Sequence, residues 1–292
     1  MTDSLIILAG GSSSRMKKSI SNEIGDDMIQ QANSRSKALI LLNGRPMLDY
    51  VLYNAKRAGF KNIYIVIGKE GKLFKEYYGN KKSNNDFYGL LISYALQNIP
   101  KDRVKPLGTS DAVYQTLNQY PELQSKQFVV CNCDNLYSTN AFQLLREDTH
   151  SHALINYDRD VLRYSQERIK RFAVTRTNEK SFLEDILEKP SKDEIDNYKD
   201  IQGKLRVSMN IFKFDGSLFY SFLKKTPLHP MRQEKEIPTT LLMMIKEYPS
   251  SVAAIPLSEH VPDLTSKEDI LIMNIYLKEH KINLDWRTNK TL

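Results

Sequence analysis

The sequence predicts an α/β protein built on a doubly wound, mixed β-sheet, and three observations carry that expectation. Short β-type runs alternate with helical patterns through the first half. Two polar segments, LAGGSSSRM (8–16) and CNCDN (131–135), follow strand-like runs directly. The second half gathers strand runs separated by charged loops. A β-α-β-α rhythm lays consecutive strands parallel with helices over their faces.

The elements follow in order. Leu5–Leu8 is an unbroken apolar run of the length a buried strand needs. Pro46–Ala58 reads as a helix, with Pro46 suited to its first turn. Asn62–Ile67 and Gly89–Tyr94 read as strands, Ser110–Asn118 as a helix and Gln127–Cys133 as the next strand. Ligands of such sheets sit beyond the carboxyl ends of the strands. LAGGSSSRM and CNCDN should therefore meet at one edge. Further strands are expected at His152–Tyr157, Phe172–Arg176, Ser181–Leu187 and Arg206–Phe214. Helices are expected at Ser217–Lys224, Pro238–Tyr248 and Ser266–Lys278, and Asp193–Lys204 as a surface excursion. This organisation suggests one domain over residues 1–292, with halves of about 1–150 and 151–292.

Composition narrows the class. The chain has 292 residues, 41% of them hydrophobic, which suits a globular protein with a sizeable core. No apolar run approaches the roughly 20 residues of a membrane helix. Leu5–Leu8 is too short for a signal peptide, and Asp3 stands where positive charge belongs. The expected compartment is the cytoplasm, with no membrane partner. Lys and Arg outnumber Asp and Glu by 42 to 35. The bases are dispersed among acids, with KDRVK and RIKR the densest groups. Small anionic substrates fit that pattern better than nucleic acid. Cys131 and Cys133 would share one face of a strand, a poor geometry for pairing with each other, and read as core residues.

A glycine-bearing loop leaving a strand brings backbone N–H groups close to phosphate oxygens. Gly10 and Gly11 permit that approach, Ser12, Ser13 and Ser14 add hydroxyls, and Arg15 adds a charged fork. The P-loop pattern is absent, because no second glycine and lysine stand at its positions. The dinucleotide fingerprint is absent too, since serines replace its later glycines.

These segments resemble those of the sugar-1-phosphate nucleotidylyltransferases. LAGGSSSRM resembles their L-A-G-G-x-G-T-R-[LM] signature, with serines for the inner Gly-Thr. SKALILLNGRPMLDYVL (36–52) resembles the lysine-bearing segment that follows, with Lys37 at the family's lysine. GTSDAV (108–113) is similar to the nucleotide-contacting segment, and Gln97 stands where a base-reading glutamine is expected. CNCDN corresponds to the metal-aspartate segment. LEKP (187–190) and SMNIFKF (208–214) resemble the sugar-phosphate motifs, and VPDLTSKEDI (261–270) the closing acidic block.

The resemblance implies a Rossmann-like nucleotide-diphospho-sugar transferase fold of GT-A type with an inserted β-rich sugar-binding subdomain. It also implies a Mg²⁺-dependent enzyme of nucleotide-sugar biosynthesis with an NTP and a sugar 1-phosphate as substrates. Carried over residue by residue, it gives Arg15, Lys37, Asp134 and Lys189 as catalytic. Leu8, Ala9, Gly10, Gly11, Ser12, Gln97, Gly108 and Thr109 would bind nucleotide. Glu188, Lys189 and Asn210 would bind the sugar phosphate, and Asp134 and Asp263 would hold the metal. The chemistry agrees with that set: two anionic reactants need cations and a metal held by hard oxygen ligands, and no side-chain nucleophile.

Plainer roles stay open to these residues: turn or cap for Asp134 and Asp263, exposed gatekeeper of an apolar run for Lys37, solvated strand-end charge for Lys189, outward polar residue for Asn210. Two other readings also stand, transfer to a non-sugar phosphate such as phosphocholine, and a non-catalytic nucleotide-sugar-binding regulator. The interval KKSISNEIGDDMIQQANSRS (17–36) is longer than the family usually allows and reads either as a mobile lid, the favoured expectation, or as an inert insertion. PLHPMRQEKEIPTT (227–240) departs from the family's pattern and reads either as a charged helix entrance or as part of an acceptor pocket. The short tail beyond the Asp263 block predicts no appended repeat domain. Base, sugar and oligomeric state are not legible.

Overall fold

The structure, a computed structural model, describes residues 1–286 except 22, 70 and 189. β1 (Ser4–Leu8) runs through the middle of the sheet. Its side chains alternate between two apolar masses, with Leu5 and Ile7 in one and Ile6 in the other. A strand covered on both faces has no use for a polar residue, which is why this one reads as a continuous apolar run.

After β1 come α1 (Ser14–Lys18), α2 (Asp26–Ser34), a hairpin of β2 (Leu41–Leu42) and β3 (Arg45–Pro46), and α3 (Met47–Arg57). β4 (Asn62–Ile67) then pairs parallel with β1. α4 (Lys72–Tyr78) and β5 (Asn85–Phe87) lead to β6 (Leu90–Leu96), parallel to β4 and antiparallel to β5. α5 (Thr109–Gln119) carries the chain back, and β7 (Gln127–Asn132) pairs parallel with the other edge of β1. The parallel order is thus β7-β1-β4-β6. The winding direction reverses between β1 and β7, which opens a crevice at their carboxyl ends.

The second half contributes α6 (Thr139–Glu147), β8 (His152–Asp158), α7 (Gln166–Ile169), β9 (Val174–Thr177) and β10 (Leu183–Leu187). α8 (Lys192–Ile195), β11 (Arg206–Asp215), α9 (Gly216–Lys225), α10 (Ile237–Glu247), β12 (Val252–Leu257) and α11 (Glu268–Glu279) complete the chain. β11 is the seam: it pairs antiparallel with β7 and also with β8 and β9. The later strands therefore extend the central sheet, ten strands joining into one among the described residues. Its register with β8 shifts between Ser208 and Phe212, and Asn210 within that interval has φ 57°. Bulges of this kind bend a strand and re-aim a side chain.

Several elements lie outside what the sequence predicts, β12, α4 and α6 among them. β12, VAAIPL, has two alanines and a proline, a weak strand signal; it pairs parallel with β8 beyond the main run of strands, where Pro256 is tolerated. α4 and α6 are short amphipathic helices with modest local signals. In the interval expected as a lid, Ile24 and Ala32 are buried against the core, as is Met16 just before it. The two cysteines are free and buried. No helix among the described residues is long and apolar enough to cross a membrane.

His152 on β8 is buried, and its Nδ1 accepts the Asp215 backbone N–H at 3.3 Å. Burial pushes the imidazole down to about 4 from an ordinary 6.5; Asp215 opposes this and Lys213 adds to it. The unfolded chain takes up this proton near pH 6.5 and the folded chain only near 4. Stability from the neutral ring is therefore present above pH 6.5 and lost as pH falls toward 4, about 3 kcal/mol in all. Denaturant titrations of the wild type should show that loss, and His152→Gln should flatten it.

Candidate functional site

A cavity of about 310 Å³ opens at the carboxyl ends of β1 and β7, where the winding reverses. Leu8 through Arg15 form one wall. Ala9 N–H donates to Val66 O at 2.9 Å, which carries the loop off the strand along its neighbour β4. A Cβ on Gly10 would stand 3.2 Å from Gln97 Oε1, whereas one on Gly11 would meet nothing within 4 Å. Gly10 therefore answers to packing, and Gly11 leaves backbone open to a ligand. Ser13, at the family's inner glycine, has φ 54°, a left-handed conformation that glycine adopts freely. Its hydroxyl accepts the Lys37 backbone N–H at 3.3 Å, so the serine stitches the loop to the lysine segment. Arg15 lies on the first turn of α1, exposed and lining the cavity.

Lys37 enters from the opposite side. It is 8% exposed, and its Nζ donates to Asp134 Oδ2 at 2.6 Å. Burial would lower the ammonium's pKa, but the Asp134 carboxylate, helped by Asp263, outweighs it and holds the pKa above the ordinary value. Asp134 lies just past β7, and its backbone O accepts Leu264 N–H at 2.8 Å, while Asn135 and Asp263 form an isolated bridge. The closing block is thereby fastened to the end of β7. Burial raises the Asp263 carboxyl above its usual range and the charge of Asp134 raises it further; Arg168 and the Thr265 hydroxyl work against both.

Arg168 stands 3.0 Å from Asp263 Oδ2 and 2.5 Å from Asp269 Oδ1. Lys267 is buried, and its Nζ donates to Ser19 O at 2.5 Å and Lys17 O at 3.1 Å. It caps the last carbonyls of α1 and so pins the start of the 17–36 interval to the Asp263 block.

On the third side, Gln97 Nε2 donates to Gly108 O at 2.9 Å and to Asp111 Oδ2 at 3.1 Å. Gly108 has φ 113°, and a Cβ there would lie 2.4 Å from Lys235 O. Ser110 N–H donates to that same carbonyl, and Thr109 Oγ1 accepts Ile237 N–H at 3.0 Å. Residues 227–240 thus brace the 108–110 turn, and Glu234 reaches the cavity wall. Arg232 donates to Glu236 Oε1 at 2.6 Å and to the carboxylate of Glu188.

The cavity therefore gathers Leu8, Ala9, Gly10, Gly11, Ser12, Arg15, Lys37, Gln97, Gly108, Thr109 and Asp134. Asp263 sits beside Asp134 without lining it. Glu188 and Asn210 do not line it either: Glu188 is taken up by Arg232, and Asn210 is exposed at the β11 bulge. Lys189 lies outside the described residues. Sequence reasoning missed Lys105 and Arg168 as well as the Lys267 anchor. Arg168 belongs to a run, RIKR, whose only signal was charge density.

Comparison with known proteins agrees with this geometry. Bifunctional protein GlmU of Staphylococcus epidermidis is 26% identical over 245 residues, covering 83% of this chain and 45% of that protein. Glucose-1-phosphate adenylyltransferase of Koribacter versatilis is 23% identical over 251 residues, covering 83% and 55%. D-glycero-alpha-D-manno-heptose 1-phosphate guanylyltransferase of Campylobacter jejuni is 28% identical over 112 residues, covering 38% and 40%. The chain spans about half the length of the curated relatives it matches. A solved structure of UDP-glucose pyrophosphorylase with UDP-glucose superposes with a TM-score of 0.69 at 15% identity, covering 96% of this chain and all of that one. That likeness shows the nucleotide-diphospho-sugar transferase fold. Residues 4–256 match the nucleotidyl transferase family, and with the strand order and the crevice between β1 and β7 the conclusion is that the chain belongs to that family.

Proposed function

We propose that the protein transfers a nucleoside monophosphate from an NTP to a sugar 1-phosphate with Mg²⁺ and releases pyrophosphate. The observation that carries the reading is the Lys37–Asp134 pair, facing the glycine loop across the reversal crevice. The printed names of two relatives, an adenylyltransferase and a guanylyltransferase, also specify a sugar 1-phosphate.

The residues suit a magnesium ion. Asp134 and Asp263 are held side by side by the Asn135–Asp263 bridge and supply hard oxygens. Among the described residues no group of three His, Cys, Asp or Glu could hold a metal. Two carboxylates completed by substrate phosphate oxygens is the coordination Mg²⁺ favours. When bound, the ion would neutralise phosphate charge and align the reacting groups.

The chain's own residues do the rest. The open backbone at Gly11 and the Arg15 guanidinium receive the triphosphate, and Gln97, whose amide N–H groups are given to Gly108 and Asp111, leaves its Oε1 beside the loop for the base. Lys37, kept protonated by Asp134, places its positive charge at the α-phosphate. A sugar-phosphate oxygen attacks the α-phosphorus, the bond to the β-phosphate oxygen breaks, and pyrophosphate departs toward Arg15. The family resemblance assigns the acceptor to Glu188, Lys189 and Asn210; of these, Glu188 would have to leave Arg232 to reach it. Charge stabilisation and orientation supply the rate.

The test is pyrophosphate release by the purified protein with Mg²⁺, over a panel of NTPs crossed with sugar 1-phosphates and with phosphocholine as a non-sugar acceptor. Release with at least one sugar 1-phosphate is expected, abolished by EDTA and restored by Mg²⁺. Release with phosphocholine alone, or with none of the pairs, would overturn the reading.

A further inference from the structure

Arg168 is held by two carboxylates of unequal freedom. Its Nη1 lies 2.5 Å from Asp269 Oδ1, its Nη2 3.0 Å from Asp263 Oδ2, and its guanidinium carbon 4.5 Å from the centre of the Tyr164 ring. Asp269 is fixed: its Oδ2 also accepts the backbone N–H groups of Thr265 at 2.8 Å and Ser266 at 2.6 Å, at the start of α11. Among the described residues the Asp263 carboxylate, besides Arg168, takes only the Thr265 hydroxyl, at 2.7 Å. One carboxylate is an anchor and the other is exchangeable.

A guanidinium cannot give up its proton, so an Asp263 oxygen engaged with Arg168 is not fully available to a divalent cation. Asp269 also ensures that Arg168 keeps a partner if Asp263 leaves. We propose, resting on the nucleotidyl-transfer reading above, that Arg168 is the resident counter-ion of Asp263. It holds this acid while no divalent cation is bound, and Asp269 retains it when the cation takes Asp263. Arg168 is then a positioning residue. It keeps two neighbouring acids compatible in the free protein and keeps cation binding weak until nucleotide oxygens complete the coordination.

The test is Mn²⁺ binding to the full chain without nucleotide, followed by electron paramagnetic resonance, with a thermal melt to confirm folding. Arg168→Gln should tighten Mn²⁺ about fivefold, the size expected of a partly exposed ion pair removed from competition. Asp269→Asn should weaken it by a similar factor, because Arg168 then stays on Asp263. A merely structural arginine predicts weaker binding for both. Unchanged or weaker binding in Arg168→Gln overturns the inference. If that variant does not fold, Arg168→Lys decides: an ammonium that cannot bridge both carboxylates should release Asp263 and tighten Mn²⁺, and unchanged or weaker binding is the overturning result. Binding present in the wild type, lost in Asp134→Asn and unmoved by Arg168→Gln would overturn this inference alone. Absence of Mn²⁺ binding from the wild type and both variants would overturn the metal reading with it.

Discussion

Asp134→Asn is expected to slow pyrophosphate release by about a thousandfold while the fold persists. The side chain keeps its shape, so its position after β7 and the backbone bond from Leu264 are retained. Two charges change together. The site loses a carboxylate for the cation, and Lys37, 8% exposed, loses the partner 2.6 Å away that offsets its burial. An ammonium without its counter-ion shifts toward the neutral form. Lys37→Met combined with Asp134→Asn should cost far less than the product of the two single losses, because the residues act as one unit. Steady-state release at saturating NTP reads the effect. Activity within tenfold of wild type in Asp134→Asn would remove this residue from the mechanism.

Gly108→Ala is expected to cost about 3 kcal/mol of stability and to weaken NTP binding at the same time. The backbone there has φ 113°, and the new methyl would meet Lys235 O at 2.4 Å and Lys235 N at 2.9 Å. Neither neighbour can step aside cheaply. The Lys235 carbonyl is engaged by Ser110 N–H, and the Lys235 N–H by Leu107 O at 2.5 Å. Relief must come from moving the 108–110 turn, which carries the Gln97 contact and the start of α5. Thermal melting and equilibrium NTP titration measure the two effects. A melt identical to wild type would show that the turn does not depend on this conformation.

The parallel core was legible because strands buried on both faces must be apolar throughout, as in Leu5–Leu8 and NIYIVI. The loop that walls the cavity was legible as a site because glycines and serines directly after such a strand have few other uses. β12 was hidden because its pairing with β8, rather than the content of VAAIPL, makes it a strand. The anchoring of the interval 17–36 was hidden by its polarity, since it rests on two spaced apolar residues, Ile24 and Ala32, and one distant lysine. Arg168 could not be found from spacing, since its partners lie 95 and 101 residues away. The role of residues 227–240 also depended on a tertiary contact, the fit of Gly108 against Lys235.

The clasp between Lys267 and the carbonyls of residues 17 and 19 spans a sequence separation of 248 residues or more. During synthesis the loop that precedes α1 is made at least 248 residues before its clasp is available. The stretch after Arg15 should consequently stay loosely held until Lys267 has emerged, and settle in one late step.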